Sequence, residues 1–596
     1  MNHDLGIRGL LAAYASGARA PLEVLRDAHA RARESDQPAW ITLLDWDAVA
    51  AYVDRLGPPT PDLPLYGIPF AIKDNIDLAG VPTTAGCPAF ARVPQESAFV
   101  VERLIAAGAI PLGKTNMDQF ATGLVGTRTP YGACHSVFDE RYISGGSSSG
   151  SAVSVAAGMV SFALGTDTAG SGRVPAAFNG IVGVKPSLGL LSTRGVVPAC
   201  RTLDCVSVFA VDVSDGALVC AVAAAYDEVD PYSRSTPAVG PRPAHGRHGP
   251  RRIGIPPAGQ MRFFGDAQAA AAWEAVLEQA AGLGWELVEI DYAPFAQAAG
   301  LLYEGAWIAE RWAAVGEFVA AHPADVDPVV REIVGRGERP SAVEAFRGAY
   351  RLAELRRASE PDWDRIDALL LPTAPTIYTH EEVAADPLAT NAALGTYTNF
   401  VNLLDLCAVA VPAAARSDGL PFGVTLIAPR DQDAAVMDLA ASWLGEPPVT
   451  AAPPATDGHE DTLLAVVGAH LSGLPLNHQL TDLGATLVEA TRTAPVYRLY
   501  ALAGTVPPKP GLVRTQADDG ESIELEVWRI GHAGLGRLIG GVSQPLSIGA
   551  VELADGTTVS GFVCDSRVVG ASRDITEWGG WRAFVAAAAA LSVLGG

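Results

Sequence analysis

The chain has no stretch of about 18 uninterrupted apolar residues, the length a helix needs to cross a bilayer, so no membrane span is expected. Positive charge is scarce: 42 lysines and arginines stand against 66 acidic residues, a formal net charge of −24. A surface of that sign argues against nucleic-acid or anionic-membrane partners, which need basic patches. Cysteine is sparse and unpatterned. Seven residues (Cys87, Cys134, Cys200, Cys205, Cys220, Cys407, Cys564) make an odd number without a CxxC pair. That argues against both a disulfide framework and a zinc site, and fits a reducing compartment. In MNHDLGIRGLLAAYASGARAPLE, Arg8 and Arg19 interrupt the apolar residues. The segment reads as amphipathic helix, not as a signal peptide, and the protein as cytoplasmic. No internal repeat is found.

What is present is ample core material. Apolar residues make up 49% and charged residues 18% of 596, enough for two domains, one of them large. Residues 1 to about 60 read as helices, with Pro21 in the first turn of one. LYGIPFAIKDNID is strand-like, and from there to about residue 210 short apolar runs alternate with Ala-rich helical stretches, an α/β pattern. Residues 234–252 read as an exposed loop, and longer helices follow to about 360. Three apolar runs, IDALLLPTAPTI, LCAVAVPAA and FGVTLIAP, close the large domain. A proline-rich stretch then divides the chain into a catalytic domain at 1–447, a linker at 448–461 and a smaller, mostly β domain at 462–596. An Ala-rich helix at 581–593 ends it.

Two Gly/Ser loops lie in YISGGSSSGSAVSVAAGMVSFALGTDTAGSGRVPAAF, with Ser147 in the first and Ser171 in the second, 24 residues apart. Amide hydrolysis needs a nucleophile, a base and donors for the developing oxyanion. Small residues at 167–171 let backbone N–H groups converge, and glycine lets substrate approach. Neither loop contains histidine, so a Ser-His-Asp triad has no support there. Lys73, behind the apolar run Gly67-Ile68-Pro69-Phe70-Ala71-Ile72, is the remaining candidate base. It works only unprotonated, and burial would lower its pKa in that direction.

GGSSSGS followed by GTDTAGS, with GIPFAIKDNID upstream, resembles the amidase-signature family, whose members use a Ser-cisSer-Lys triad. The resemblance implies an amidase-signature α/β fold with a mixed central sheet covered by helices. It makes Lys73 the base, Ser147 the bridging serine beside a cis peptide, and Ser171 the acylated nucleophile. The oxyanion hole would be the N–H groups of Thr168, Ala169, Gly170 and Ser171. Most members have two glycines before the nucleophile, whereas this chain has Ala169-Gly170. DTAGSGR, MDQFATGLVGTRTPYG and LLYEGAWIAERWAA are similar to the allophanate hydrolase branch. That likeness implies substrate contacts at Gly123, Tyr303 and Arg311, and hydrolysis of allophanate, an anionic amide, to ammonia and carbon dioxide. Tyr303 and Arg311, eight residues apart, would lie two turns apart on one helix face. A guanidinium there could grip the substrate carboxylate.

GAHLSGLPLNHQL, VYRLYAL and PPKPGL are similar to the C-terminal domain of the same branch, whose fold is related to γ-glutamyl cyclotransferases. The resemblance implies help with breakdown of N-carboxycarbamate, with His470 and His478 as open alternatives. It implies a homodimer, no metal or organic cofactor, and allophanate supplied by a urea carboxylase or by cyanuric-acid or biuret breakdown. A general small-amide amidase is the alternative activity. Blander readings exist for each part: a Gly/Ser run as linker, Lys73 as surface lysine, Tyr303 and Arg311 as an ordinary amphipathic face. Gly108 to Thr115 fits GxxxxGK[ST], but Ile110-Pro111-Leu112 reads as strand rather than as a phosphate-cradling loop.

Overall fold

The structure, a computed structural model, describes residues 5–234, 250–413, 416–449, 461–505, 507–515, 519–542 and 544–593. Most of the 234–252 loop and of the proline-rich linker lies outside the described residues. Two compact units are distinguished, Met1–Ala455 and Thr456–Gly596.

In the first unit eleven short strands pair into one sheet. They are β1 (Trp40–Leu43), β2 (Pro69–Lys73), β3 (Ile110–Thr115), β4 (Phe162–Asp167), β5 (Val182–Lys185) and β6 (Cys205–Ala210). The remainder are β7 (Arg252–Ile255), β8 (Glu286–Glu289), β9 (Ala368–Pro372), β10 (Leu406–Pro412) and β11 (Gly423–Pro429). Their order is β1-β3-β2-β4-β6-β5-β10-β11-β9-β7-β8. Every residue of β2, β3, β4, β6 and β9 is buried, which is why these strands read as continuous apolar runs rather than alternating ones. The first 60 residues are not all helical: the aromatic and β-branched run at Trp40–Leu43 is an edge strand, antiparallel to β3.

The topology brings the carboxyl ends of two interior strands together. β2 runs parallel to both β3 and β4, with Ile72 opposite Lys114 on one side and Leu164 on the other. Phe70 and Phe162 stack at 5.1 Å between ring centres, packing β2 against β4. The two strands therefore end together, β2 at Lys73 and β4 at Asp167. Sites collect outside such carboxyl ends because the chain must leave the sheet there in loops.

The second unit holds a five-stranded sheet and a three-stranded one. The larger is ordered β13-β16-β12-β18-β17, from β12 (Asp461–Val466), β13 (Thr486–Arg492), β16 (Glu524–Gly531), β17 (Leu546–Glu552) and β18 (Thr558–Cys564). The smaller joins β14 (Tyr497–Ala501), β15 (Pro510–Arg514) and β19 (Arg573–Asp574). The helix Trp581–Val593 follows.

The GxxxxGK[ST] match is strand, not loop, over Ile110–Thr115. Lys114 is wholly buried, sits 3.3 Å from Asp74 Oδ1 and donates to Thr83 Oγ1 at 3.0 Å, so its amine is occupied inside the core. Burial pushes its pKa down and Asp74 opposes that. Lys114→Met would leave Asp74 without its ion partner. An expected loss of about 3–5 kcal/mol, read by chemical denaturation, checks this pairing, and ATP should leave the wild-type melting temperature unchanged.

Candidate active site

Lys73, at the end of β2, has no exposed surface. Its Nζ donates to Ser147 Oγ at 2.8 Å and to Thr166 Oγ1 at 2.8 Å. No carboxylate lies within ion-pair distance of it among the described residues. Burial lowers its pKa to about 7, against the opposing pull of Asp118, Asp167 and Asp204. A neutral amine is therefore accessible near neutral pH. Ser147 follows a cis Gly146–Ser147 peptide and precedes the helix Ser149–Ala156. Asn75 Nδ2 also reaches Thr166 Oγ1, at 3.3 Å.

The loop after β4 carries Ser171. Asp167 is its anchor: the carboxylate forms a two-pronged pair with Arg173, both contacts at 2.9 Å, and both side chains are fully buried. Burial pushes the Asp167 pKa up, but Arg173 and its other donors bring it below the usual carboxylate range. Two of those donors are backbone groups, Gly170 N–H at 2.9 Å and Gly172 N–H at 3.0 Å. Gly170 thus departs from its expected place in the oxyanion hole, because its N–H is already engaged by Asp167. The N–H groups of Thr168, Ala169 and Ser171 meet no acceptor among the described residues. The Thr168 hydroxyl donates to Asp204 Oδ1 at 2.5 Å. Ser171 Oγ donates to the Gly123 carbonyl at 3.5 Å, and Ser147 and Ser171 do not hydrogen-bond each other.

Tyr303 and Arg311 are not on one helix. The chain breaks between Ala293–Glu304 and Ile308–Ala321, because Gly305 takes an extended conformation (ψ −170°) that ends the first helix. The break still brings the pair together. Arg311 Nη2 donates to Tyr303 Oη at 3.3 Å, and its guanidinium stands 5.3 Å from the tyrosine ring centre. Arg311 is 1% exposed; Nη1 donates to Thr122 Oγ1 at 3.0 Å and to the Ala121 carbonyl at 3.5 Å. Its Nε has no acceptor, and no carboxylate lies within ion-pair distance among the described residues. Phe120 and Ala121 both adopt φ of 51°, a left-handed conformation costly for side-chain-bearing residues and found where function holds the backbone. The same few residues, 121–123, therefore touch Arg311 at one end and Ser171 at the other. Tyr303 also packs in one apolar cluster with Ala169 and Cys200.

Residues 23–437, more than half of the chain, match the family described as Amidase. The chain belongs to the amidase family. After the amidase domain, residues 462–586 match the allophanate hydrolase C-terminal domain. The chain is 42% identical over 582 residues to the urea amidolyase of Lachancea kluyveri, a match covering 92% of this chain and 31% of that protein. The urea amidolyase of Saccharomyces cerevisiae is 43% identical over 551 residues, covering 88% of this chain and 30% of that protein. This chain thus spans about a third of the length of those two relatives. The solved structure of Kluyveromyces lactis allophanate hydrolase superposes with a TM-score of 0.72 at 38% identity, over 97% of this chain and 98% of that one.

In the allophanate hydrolase C-terminal domain the two candidate histidines part company. His470 lines a cavity of about 370 Å³, together with Gln479, Lys509, Arg537 and Phe562. It is hydrogen-bonded to Gln479 Oε1 at 3.0 Å and stacked on Phe562 at 4.9 Å, and burial lowers its pKa. His478 does not line that cavity. It is exposed, with Nδ1 against the Pro475 carbonyl at 2.9 Å. Among the described residues of both domains, no group of three or more His, Cys, Asp or Glu side chains is arranged to hold a metal.

Sequence reading missed Thr166, Asp118, Thr122, Asp204 and the Asp167–Arg173 pair. Asp118 and Thr122 lie in the MDQFATG run, and Asp167 and Arg173 bracket DTAGSGR, so the motifs contained them without assigning their contacts.

Proposed function

We propose that this chain hydrolyses allophanate (urea-1-carboxylate) to ammonia and carbon dioxide through an acyl-enzyme on Ser171. The observation that carries the reading is a fully buried Lys73 with hydroxyls, and no counterion, as its partners. Neutral Lys73 accepts the Ser147 proton, and Ser147 accepts that of Ser171 as its Oγ attacks the terminal carbamoyl carbon. In the free site Ser171 leans on Gly123; the Ser147–Ser171 contact forms when substrate takes that space, since catalytic hydrogen bonds often tighten only in the complex. The N–H groups of Thr168, Ala169 and Ser171 receive the oxyanion. The relay then protonates the leaving nitrogen and ammonia departs. Water attacks the remaining acyl group, giving back Ser171 and releasing N-carboxycarbamate.

Arg311 supports the substrate class. A buried guanidinium without a counterion is costly, and a bound carboxylate would remove that cost while fixing the carbamoyl carbon for attack. Tyr303 and the Gly123 segment complete the pocket. We read the C-terminal domain as assisting loss of carbon dioxide from N-carboxycarbamate, with His470, beside Lys509 and Arg537 on the cavity wall, favoured over the exposed His478. The setting that follows is urea degradation by a cytoplasmic homodimer, with allophanate supplied by a urea carboxylase.

Ser171→Ala should abolish ammonia release and fluorophosphonate labelling with an unchanged melting temperature; residual turnover would remove Ser171 from the nucleophile's role. Because the active form of Lys73 is the neutral one, kcat/KM should rise with pH and reach half its plateau near 7. A profile flat from roughly pH 5.5 upward would exclude a lysine titrating there. Arg311→Ala should cost about 1.5–3 kcal/mol more on allophanate than on uncharged malonamide, roughly a tenfold to hundredfold difference. Equal losses on the two amides would favour a general amidase.

A further inference from the structure

The segment around Asp118 brings a carboxylate to the site that the relay described above does not use. Asp118 is fully buried, its Oδ1 accepting the Arg128 N–H at 2.9 Å and its Oδ2 the Gly126 N–H at 3.0 Å. Its own N–H donates to the Ser147 carbonyl at 3.1 Å. The carboxylate is also pressed against two glycines: a Cβ at Gly146 would fall 2.2 Å from Oδ2, and one at Gly123 would fall 2.6 Å from it. Asp118 therefore touches the cis Gly146–Ser147 peptide and the residue whose carbonyl holds Ser171.

Its charge is placed differently from those of its neighbours. Three carboxylates act on the Lys73 amine, Asp118 most strongly, then Asp167 and Asp204. Asp167 is neutralised by Arg173. Asp204 accepts the Thr168 hydroxyl and the Ala199 and Cys200 N–H groups, and also feels Arg311. Asp74, next to Lys73 in the chain, is paired with Lys114. Asp118 has no direct ion pair among the described residues. Burial raises the pKa of the Asp118 carboxyl, and Arg128, the Arg128 and Gly126 N–H groups and Lys73 oppose that rise; the Arg128 guanidinium itself donates to the Thr122 and Pro387 carbonyls.

We propose that Asp118 is a positioning residue of the relay: its N–H holds Ser147 in place, and its charge sets how readily Lys73 gives up a proton. The proposal rests on the reading of Lys73 as base, but its first test does not. The chain has four lysines, Lys73, Lys114, Lys185 and Lys509, so NMR of the full chain with isotope-labelled lysine resolves the Lys73 titration without turnover. In Asp118→Asn, Lys73 should titrate about one unit lower than in wild type, and the acid limb of kcat/KM should move the same way. The rate should fall about tenfold, since asparagine can satisfy only one of the two backbone donors. Asp118→Glu, which keeps the charge, should return the titration toward the wild-type position. A folded Asp118→Asn protein whose Lys73 titrates at the wild-type pH, or a rate loss with an unmoved acid limb, would overturn the proposal and leave Asp118 a purely structural residue. Should Asp118→Asn not fold, labelled aspartate in the wild type decides instead: Asp118 must be ionised throughout the Lys73 titration, and a carboxyl still protonated there overturns the inference. Turnover by Lys73→Ala would sink the base assignment separately, with the titration result left standing.

Discussion

Two lysines, Lys73 and Lys114, are buried in neighbouring parallel strands, offset by one residue in register and so on opposite faces of the sheet, and they meet different partners. A cation taken out of water must either pair or lose its proton, because the interior cannot replace its hydration. Lys114 pairs with Asp74. Lys73 faces the hydroxyls of Ser147 and Thr166. The choice of partner, carboxylate or hydroxyl, separates an ion-paired lysine from one held by neutral groups.

The loop that carries Ser171 follows the same logic of charge. Asp167 draws in Arg173 and the N–H groups of Gly170 and Gly172, and so dictates which backbone donors are used up and which stay free. Those of Thr168, Ala169 and Ser171 remain without acceptors inside a buried loop. Unsatisfied buried donors destabilise a fold, and they persist where a ligand supplies the missing partner. Arg311, with its unpaired Nε, repeats the pattern at the far end of the 121–123 segment from Ser171. The left-handed Phe120 and Ala121 lie on the segment joining the two. The site is thus a place where the core leaves positive and donor groups open.

Much of this was legible in the chain itself. The apolar runs that became β2, β4, β9, β10 and β11 stood out because strands buried on both faces cannot alternate in polarity. The two Gly/Ser loops and the lysine behind an apolar run marked the chemistry, since small residues and a shielded amine are what acyl transfer requires. Less legible was whatever depends on a partner distant in sequence. Trp40–Leu43 became a strand because β3 offered it an edge. Gly170 left the donor set because Asp167 captured its N–H. Gly305 ended a helix that residue spacing alone would have carried through to Arg311.

The sequence by itself determined the chemistry on offer: which hydroxyls, which amine, which guanidinium, and an acidic chain around them. These are properties of residue type and short-range spacing, and they survive without knowledge of the fold. Tertiary structure alone decided which of two lysines lost its counterion, which backbone donors stayed open, which histidine reached a cavity, and that Asp118 stands between Ser147 and Gly123. Each of those outcomes depends on groups tens to hundreds of residues apart meeting where water is absent. Only there do a few tenths of an ångström and one unpaired charge change what a side chain can do.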